Sequence, residues 1–444
     1  MKDVSTFKLI LMTVFVVFAM VGFFAFSGFI PLPSGGGPDG PILSGDIEIW
    51  GTFPSRMMND MLKNTFNSDK ALTISYTEKR EVSLDRDFVE ALASGVGPDI
   101  IFLPQDLILR HRDKIFPLPA ETLSQRTFRD TFISEGEMYL TDEGSLSLPV
   151  IVDPLVMYWN RSILASNGIV SEPKMWDEFF ELIPKLTERD SLGDITQSGV
   201  ALGEYQNITN SKELISALIL QAGSSIVEQS GSTLYSSLSS DNTGEGVVGG
   251  RPAELALNFY TQFSNPVKPT YTWNRSLSSS QDMFVAGDLA IYFGFASEFN
   301  EIRKRNPHLD FDVAMFPQVR DATRKTFGRM SGISIVKTSN YLNTAFSVAV
   351  RLIDPEFVAA LSKEVGLPPA RRDLLGKTPS DPFDAVFYDS ALISDAWLDP
   401  DPKETDTIFR EMISDITSGR RRISAAVATA SGLLQDLLDA RSKQ

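Results

Sequence analysis

From Leu9 to Ile30 the chain runs LILMTVFVVFAMVGFFAFSGFI, 22 residues without a charge. At about 1.5 Å rise per helical residue the run reaches roughly 33 Å, enough to cross the hydrocarbon core of a bilayer. A segment this apolar needs lipid around it or removal, so the rest of the chain must build its cores without it. Lys2 and Lys8 flank the run on one side, and no further basic residue occurs before Arg56. The positive-inside bias therefore places residues 1–8 in the cytoplasm and the body outside. Residues 9–30 are expected to form a transmembrane helix or signal anchor; the alternative is a cleaved signal peptide, because Ala25-Phe26-Ser27 spaces small residues as a peptidase requires. Residues 31–45, PLPSGGGPDGPILSG, have no apolar periodicity and read as a Gly/Pro linker.

Beyond the linker, strand and helix patterns alternate. Asp46-Ile47-Glu48-Ile49-Trp50 has the period of a strand, and Met57, Met58, Met61, Leu62 and Phe66 have the spacing of a helix. Leu72 to Tyr76 is a second strand, Leu84 to Ser94 a second helix, and Asp99 to Leu103 a third strand, nearly all apolar. This order predicts an α/β body with a buried, mostly parallel sheet covered by helices. Extended runs recur at Leu148 to Val152, Leu155 to Trp159, Asp310 to Pro317 and Gly332 to Val336. Helical stretches fall at Trp176 to Leu186, at Lys212 to Ala222 and, chiefly, from Asn343 onward.

Composition then removes several functions. Lys and Arg total 41 against 57 Asp and Glu, a net charge of −16, which argues against nucleic acid as a partner. The absence of cysteine excludes disulfides, thiol nucleophiles, thiolate zinc sites and iron–sulfur clusters. The two histidines, His111 between Arg110 and Arg112 and His308 after Pro307, are far apart and expected at the surface, so no histidine-rich metal site is predicted. No Gly-x-Ser-x-Gly elbow, Walker-type phosphate loop or His-Glu-x-x-His helix occurs. The expectation is a chain with no catalytic residue, metal or cofactor, and not an enzyme.

The segments IEIWGT, DFVEALASGVGPDIIFLP, LPVIVDPLVMYWNRSILASNGI, EPKMWDEF, MFVAGDLAIYFG, FDVAMFPQ and GLPPARRDLL follow one another in that order. Together they resemble the extracellular solute-binding proteins of ABC importers, in the group that includes the maltose-binding protein, over roughly Asp46 to Leu438. The resemblance implies a periplasmic-binding-protein-like fold, two α/β lobes around a cleft joined by hinge strands. It implies an N-lobe of residues 46–149 and 316–366, a C-lobe of residues 150–315 and 367–444, and a hinge around Val150 to Leu155 and Val313 to Phe316. The implied function is a receptor in the cytoplasmic membrane, single-pass with its body extracytoplasmic, that delivers a small molecule, a sugar foremost, to ABC permease subunits. A tethered sensor and a secreted carbohydrate-active enzyme are the alternatives, because fold alone does not fix function.

Carried over loop by loop, the resemblance points to Gly51, Thr52 and Phe53, to Pro104, Gln105 and Asp106, and to Asp153. It points further to Gly294, Phe295 and Ala296, and to Ser331 and Gly332. Sugar recognition needs aromatic faces and a few polar anchors, which adds Trp397 and Trp273 as stacking candidates and Asn207 as a contact or a helix cap. Asp153 is the leading polar candidate; the competing role is a turn residue before Pro154. Trp50, Trp159 and Trp176 are assigned to the core, Arg371 and Arg372 to a structural ion pair near the domain crossing, and Arg420 to Arg422 to a solvated face.

Overall fold

The computed structural model describes residues 43–442 apart from 232 and 242–249. The apolar run 9–30 and nearly all of the linker therefore lie outside the described residues. Among the described residues no helix is long and apolar enough to cross a membrane.

Strand β1 (Gly45–Gly51) buries Ile47 and Ile49, the apolar half of its alternation. It runs parallel to β2 (Leu72–Glu78) and β3 (Ile100–Pro104). Helix α1 (Ser55–Thr65) covers this sheet through Met58 and Leu62, and α2 (Glu81–Ala93) through Leu84 and Phe88. Ile100 to Leu103 are all buried, as a strand covered on both faces requires. The sheet continues through β4 (Leu148–Asn160), β5 (Ile195–Val200), β6 (Leu289–Phe295), β7 (Phe311–Met315) and β8 (Thr326–Val336). Its order is β2-β1-β3-β8-β4-β6-β5, with β7 also on β4. The outer pairings β1–β2, β1–β3 and β5–β6 are parallel, whereas β3–β8, β8–β4, β4–β6 and β4–β7 are antiparallel. The sheet is thus mixed at its centre rather than mostly parallel, because β8 re-enters between β3 and β4.

Two apolar cores flank that centre. The first holds Ile47, Leu103, Val150 and Met330, and the second Leu155, Phe293, Phe327 and Phe409. β4 changes core between Val152 and Leu155, and β8 between Phe327 and Met330. The return to the first lobe therefore comes later than the expected Phe316, since Val313 and Phe316 pack in the second core. The chain also leaves the first lobe later than residue 366: Ala370, Leu375 and Ala391 still pack there, and Ala396 and Trp397 pack in the second. Three passages between lobes result, the third beside β8, where Ser394–Asp395 pairs with Thr326 and Phe327.

Helix α3 (Gln105–Ile108) follows β3 directly, and α4 (Ser211–Gln221) is buried along most of its length. α5 (Pro402–Thr417) is capped by Asp401, which accepts from the amides of Lys403 and Glu404, and α6 (Ile423–Ser442) ends the described chain. His111, expected at the surface, is only 1% exposed and meets Phe88 edge-on at 5.1 Å. Its flanking arginine carries the local charge outward, Arg110 pairing with Asp85 and Asp401. His111 Nε2 lies 3.0 Å from Asp85 without the alignment of a hydrogen bond, and burial pushes the imidazole down to about 4, so the ring is neutral near pH 7.

Candidate ligand-binding cleft

Where β4 and β8 pass between the lobes, a cavity of about 290 Å³ opens. A cavity of about 950 Å³ beside Trp176, Phe259 and Lys325 is larger but belongs to the second lobe alone. Only the first is lined from both lobes, so only its shape changes when they move about the strands.

The loop after β1 brings Thr52 and Phe53 to the cavity. Phe53 is placed by its own amide, which donates to the Tyr76 hydroxyl at 2.8 Å, and by edge-on contact with Phe102 at 5.4 Å. A Cβ at Gly51 would lie 2.6 Å from the Tyr76 hydroxyl, so this turn has no room for a side chain. From the β3–α3 junction come Pro104, Gln105 and Asp106. Gln105 is buried and already committed: its Nε2 donates to the Gly328 carbonyl at 2.6 Å and its Oε1 accepts from the Met330 amide at 2.8 Å. Asp106 is engaged in no hydrogen bond or ion pair with another described residue. Burial, with Asp399 adding, pushes its carboxyl up to about 6.

Strands β4 and β8 contribute Asp153 and Arg329 at facing positions in the register. Asp153 accepts from the Ser297 amide at 3.0 Å, and burial pushes it up to about 6 despite that bond. Arg329 turns instead toward α4, bonding Glu213 at 2.6 Å while its guanidinium lies 3.9 Å from the Phe295 ring centre. Burial opposes the charge of Arg329, but Glu213 outweighs it and the guanidinium pKa is raised. Glu213 is likewise opposed by burial, and Arg329 and Lys212 bring it net below the usual carboxylate range. The neighbouring Lys212 reaches across to Asp399 at 2.8 Å, a pair in which both side chains are largely buried. Asp399 also accepts from Thr405 Oγ1 and the Asp401 amide. Trp397 closes the second-lobe wall, stacked on Phe409 at 6.0 Å with its Nε1 on Ser216.

Of the residues expected from the sequence, the cavity gathers Thr52, Phe53, Gln105, Asp106, Asp153, Ser331 and Trp397. Gly294 and Phe295 lie behind its wall: Phe295 is buried under Arg329, and Gly294 packs against Tyr292 and Glu298. Asn207 and Trp273 are not at the cavity. Trp273 is fully buried and donates to Asn207 Oδ1 at 3.0 Å, while Asn207 Nδ2 donates to the carbonyls of Asn274 and Leu277. Arg371 pairs with Asp373 at 2.9 Å, and Arg420 and Arg421 pair with Asp415.

Sequence reasoning missed Glu81, Lys212, Glu213, Arg329 and Asp399 in the cavity wall. Two signals were there to read: adjacent charges opening the otherwise apolar helix SKELISALILQ, and a single arginine inside the strand TFGRMSGISIV.

The profile of the bacterial extracellular solute-binding proteins matches residues 62–383. No curated protein matches the chain. Among solved structures, the cyclic alpha-maltosyl-1,6-maltose binding protein from Arthrobacter globiformis superimposes with a TM-score of 0.72 at 14% identity, over 89% of this chain and 100% of that one. The sugar-binding protein MalE from Xanthomonas citri gives 0.70 at 16%, over 89% and 98%. A cyclo/maltodextrin-binding protein in complex with maltotetraose gives 0.70 at 14%, over 88% and 96%. At such identities the likeness speaks for a shared two-lobed fold, and the profile match, running through both lobes and across the β4 and β8 passages, speaks for ancestry: the chain belongs to the bacterial extracellular solute-binding protein family.

Proposed function

We propose that the protein is an extracytoplasmic receptor that captures a carbohydrate by closing its lobes and delivers it to the permease subunits of an ABC importer, without turnover. One observation carries this reading: a cavity between the lobes, at the strands that join them, with the Phe53 ring on one wall and Trp397 on the other. Aromatic faces cover the apolar faces of a sugar ring, and carboxylates such as Asp106 and Asp153 accept from its hydroxyls. The carbohydrates named for the structurally similar proteins support the same class. Residues 9–30, outside the described structure, would tether the body and hold its cleft near the permease.

A thermal-unfolding screen over malto-oligosaccharides, other sugars, polyols and short peptides tests this. Ligand at 100 times its Kd stabilises the native state by about 2.7 kcal/mol, so a matching sugar raises the melting temperature by several degrees. A panel in which only peptides act, or in which a sugar is consumed, overturns the reading.

A further inference from the structure

The cleft carries more negative charge than its own cations compensate. Five carboxylates line it (Glu81, Asp106, Asp153, Glu213 and Asp399) against two cations, Lys212 and Arg329. Both cations form their ion pairs in the second lobe, Lys212 with Asp399 and Arg329 with Glu213, and their charges offset only part of that on Asp106 and, for Arg329, on Asp153. The remaining carboxylates lie on the first lobe and at the crossing. Glu81 is exposed at the rim, Asp106 is without a hydrogen-bond or ion-pair partner among the described residues, and Asp153 is bonded by Ser297 and forms no ion pair.

Closing the lobes removes more water from Asp106 and Asp153. An ionised carboxylate withdrawn from water without a countercharge is costly, and it then takes up a proton or acquires a cation. The upward displacement of both groups to about 6, with burial as its main cause, accords with that first pressure. No group of three histidine or carboxylate side chains among the described residues is placed to hold a metal ion, so a divalent cation is a poor fit. An ammonium group needs only one carboxylate, and the cavity lining offers Asp106 and Asp153. Resting on the carbohydrate reading above, we infer that the ligand is an amino sugar or amino-sugar oligosaccharide whose protonated amine is received by Asp106 and Asp153, while Phe53 and Trp397 cover its rings.

The probes are the β-1,4-linked glucosamine trimer, its N-acetylated counterpart and maltotriose. The first two share a skeleton and differ in charge. Calorimetric titration of the full chain at neutral pH, above the value of about 6 to which both carboxyls are raised, so that they are ionised and hold a bound amine protonated, should show the free-amine trimer bound about tenfold or more tightly than the acetylated one, the scale of one charge-assisted hydrogen bond. The ratio should narrow in Asp106→Asn and Asp153→Asn and also with added salt in the unaltered chain, so a variant that folds poorly does not remove the test. Acetylated trimer or maltotriose binding as tightly as the amine overturns this inference and leaves the carbohydrate reading standing. A preference that neither substitution nor salt reduces overturns the assignment to these carboxylates. Failure of all three to bind while another uncharged sugar binds also overturns it, and failure of every sugar removes the carbohydrate reading with it.

Discussion

Glu135 carries a carboxyl buried inside the fold. It lies in the turn Ser134–Tyr139, only 2% exposed, and neither carboxyl oxygen has a hydrogen-bond partner among the described residues. It stands so close to Gly328 of β8 that any side chain there would overlap it. Burial, with Asp395 adding, pushes its pKa up to about 8 from 4.5, against a smaller opposing effect of Ser394. A carboxyl whose pKa rises on folding binds a proton that the unfolded chain has released. Its contribution is therefore complete below pH 4.5 and is lost as pH rises through about 8. Within that window the slope is at most about 1.4 kcal/mol per pH unit. Urea unfolding of Glu135→Gln across the same window should show a flatter decline than the unaltered chain; identical slopes would mean that Glu135 is ionised in the fold. Nothing near Glu135 in the sequence announces this, and the same holds for His111 and Trp273. Each is buried by segments distant along the chain, so its local sequence says little about its exposure.

Among the elements, β1 to β3 and α1 and α2 were legible because period-2 and period-3.6 patterns are local properties. The expected strand at Gly332 to Val336 covered only half of β8, whose first half interleaves Gly328, Arg329 and Ser331 with apolar residues. Its insertion between β3 and β4 is a non-local pairing that no periodicity encodes. The pairs Lys212–Asp399 and Arg329–Glu213 were hidden for the same reason. Besides its pairing with β3 and β4, β8 is held at its crossing by Gln105, whose side chain copies a strand's hydrogen bonds by giving one to Gly328 and taking one from Met330. Gln105→Ala removes both partners and leaves the buried Met330 amide unsatisfied. The expected cost is about 1–3 kcal/mol, read as a lowered urea midpoint. A neutral result would mean that water replaces the amide and that the clamp is dispensable.

For the whole molecule, two cores joined by three passages make lobe closure the natural response to ligand. Small-angle scattering should record a smaller radius of gyration once a stabilising sugar is bound; an unchanged radius at saturation argues for a rigid site. The tether is tested separately, by fractionating cells that express the full chain: an intact N-terminus in the membrane fraction supports retention, and a soluble chain beginning after residue 27 indicates cleavage. The order of the sheet has one more consequence. β3 and β4 lie early in the chain, but the strand that joins them, β8, begins only at Thr326. A chain made from its N-terminus onward cannot complete its first lobe until most of its length is available. The topology that builds the cleft thus defers completion of the first lobe to a late stage of chain synthesis, and β3 and β4 wait unpaired at their shared edge until then.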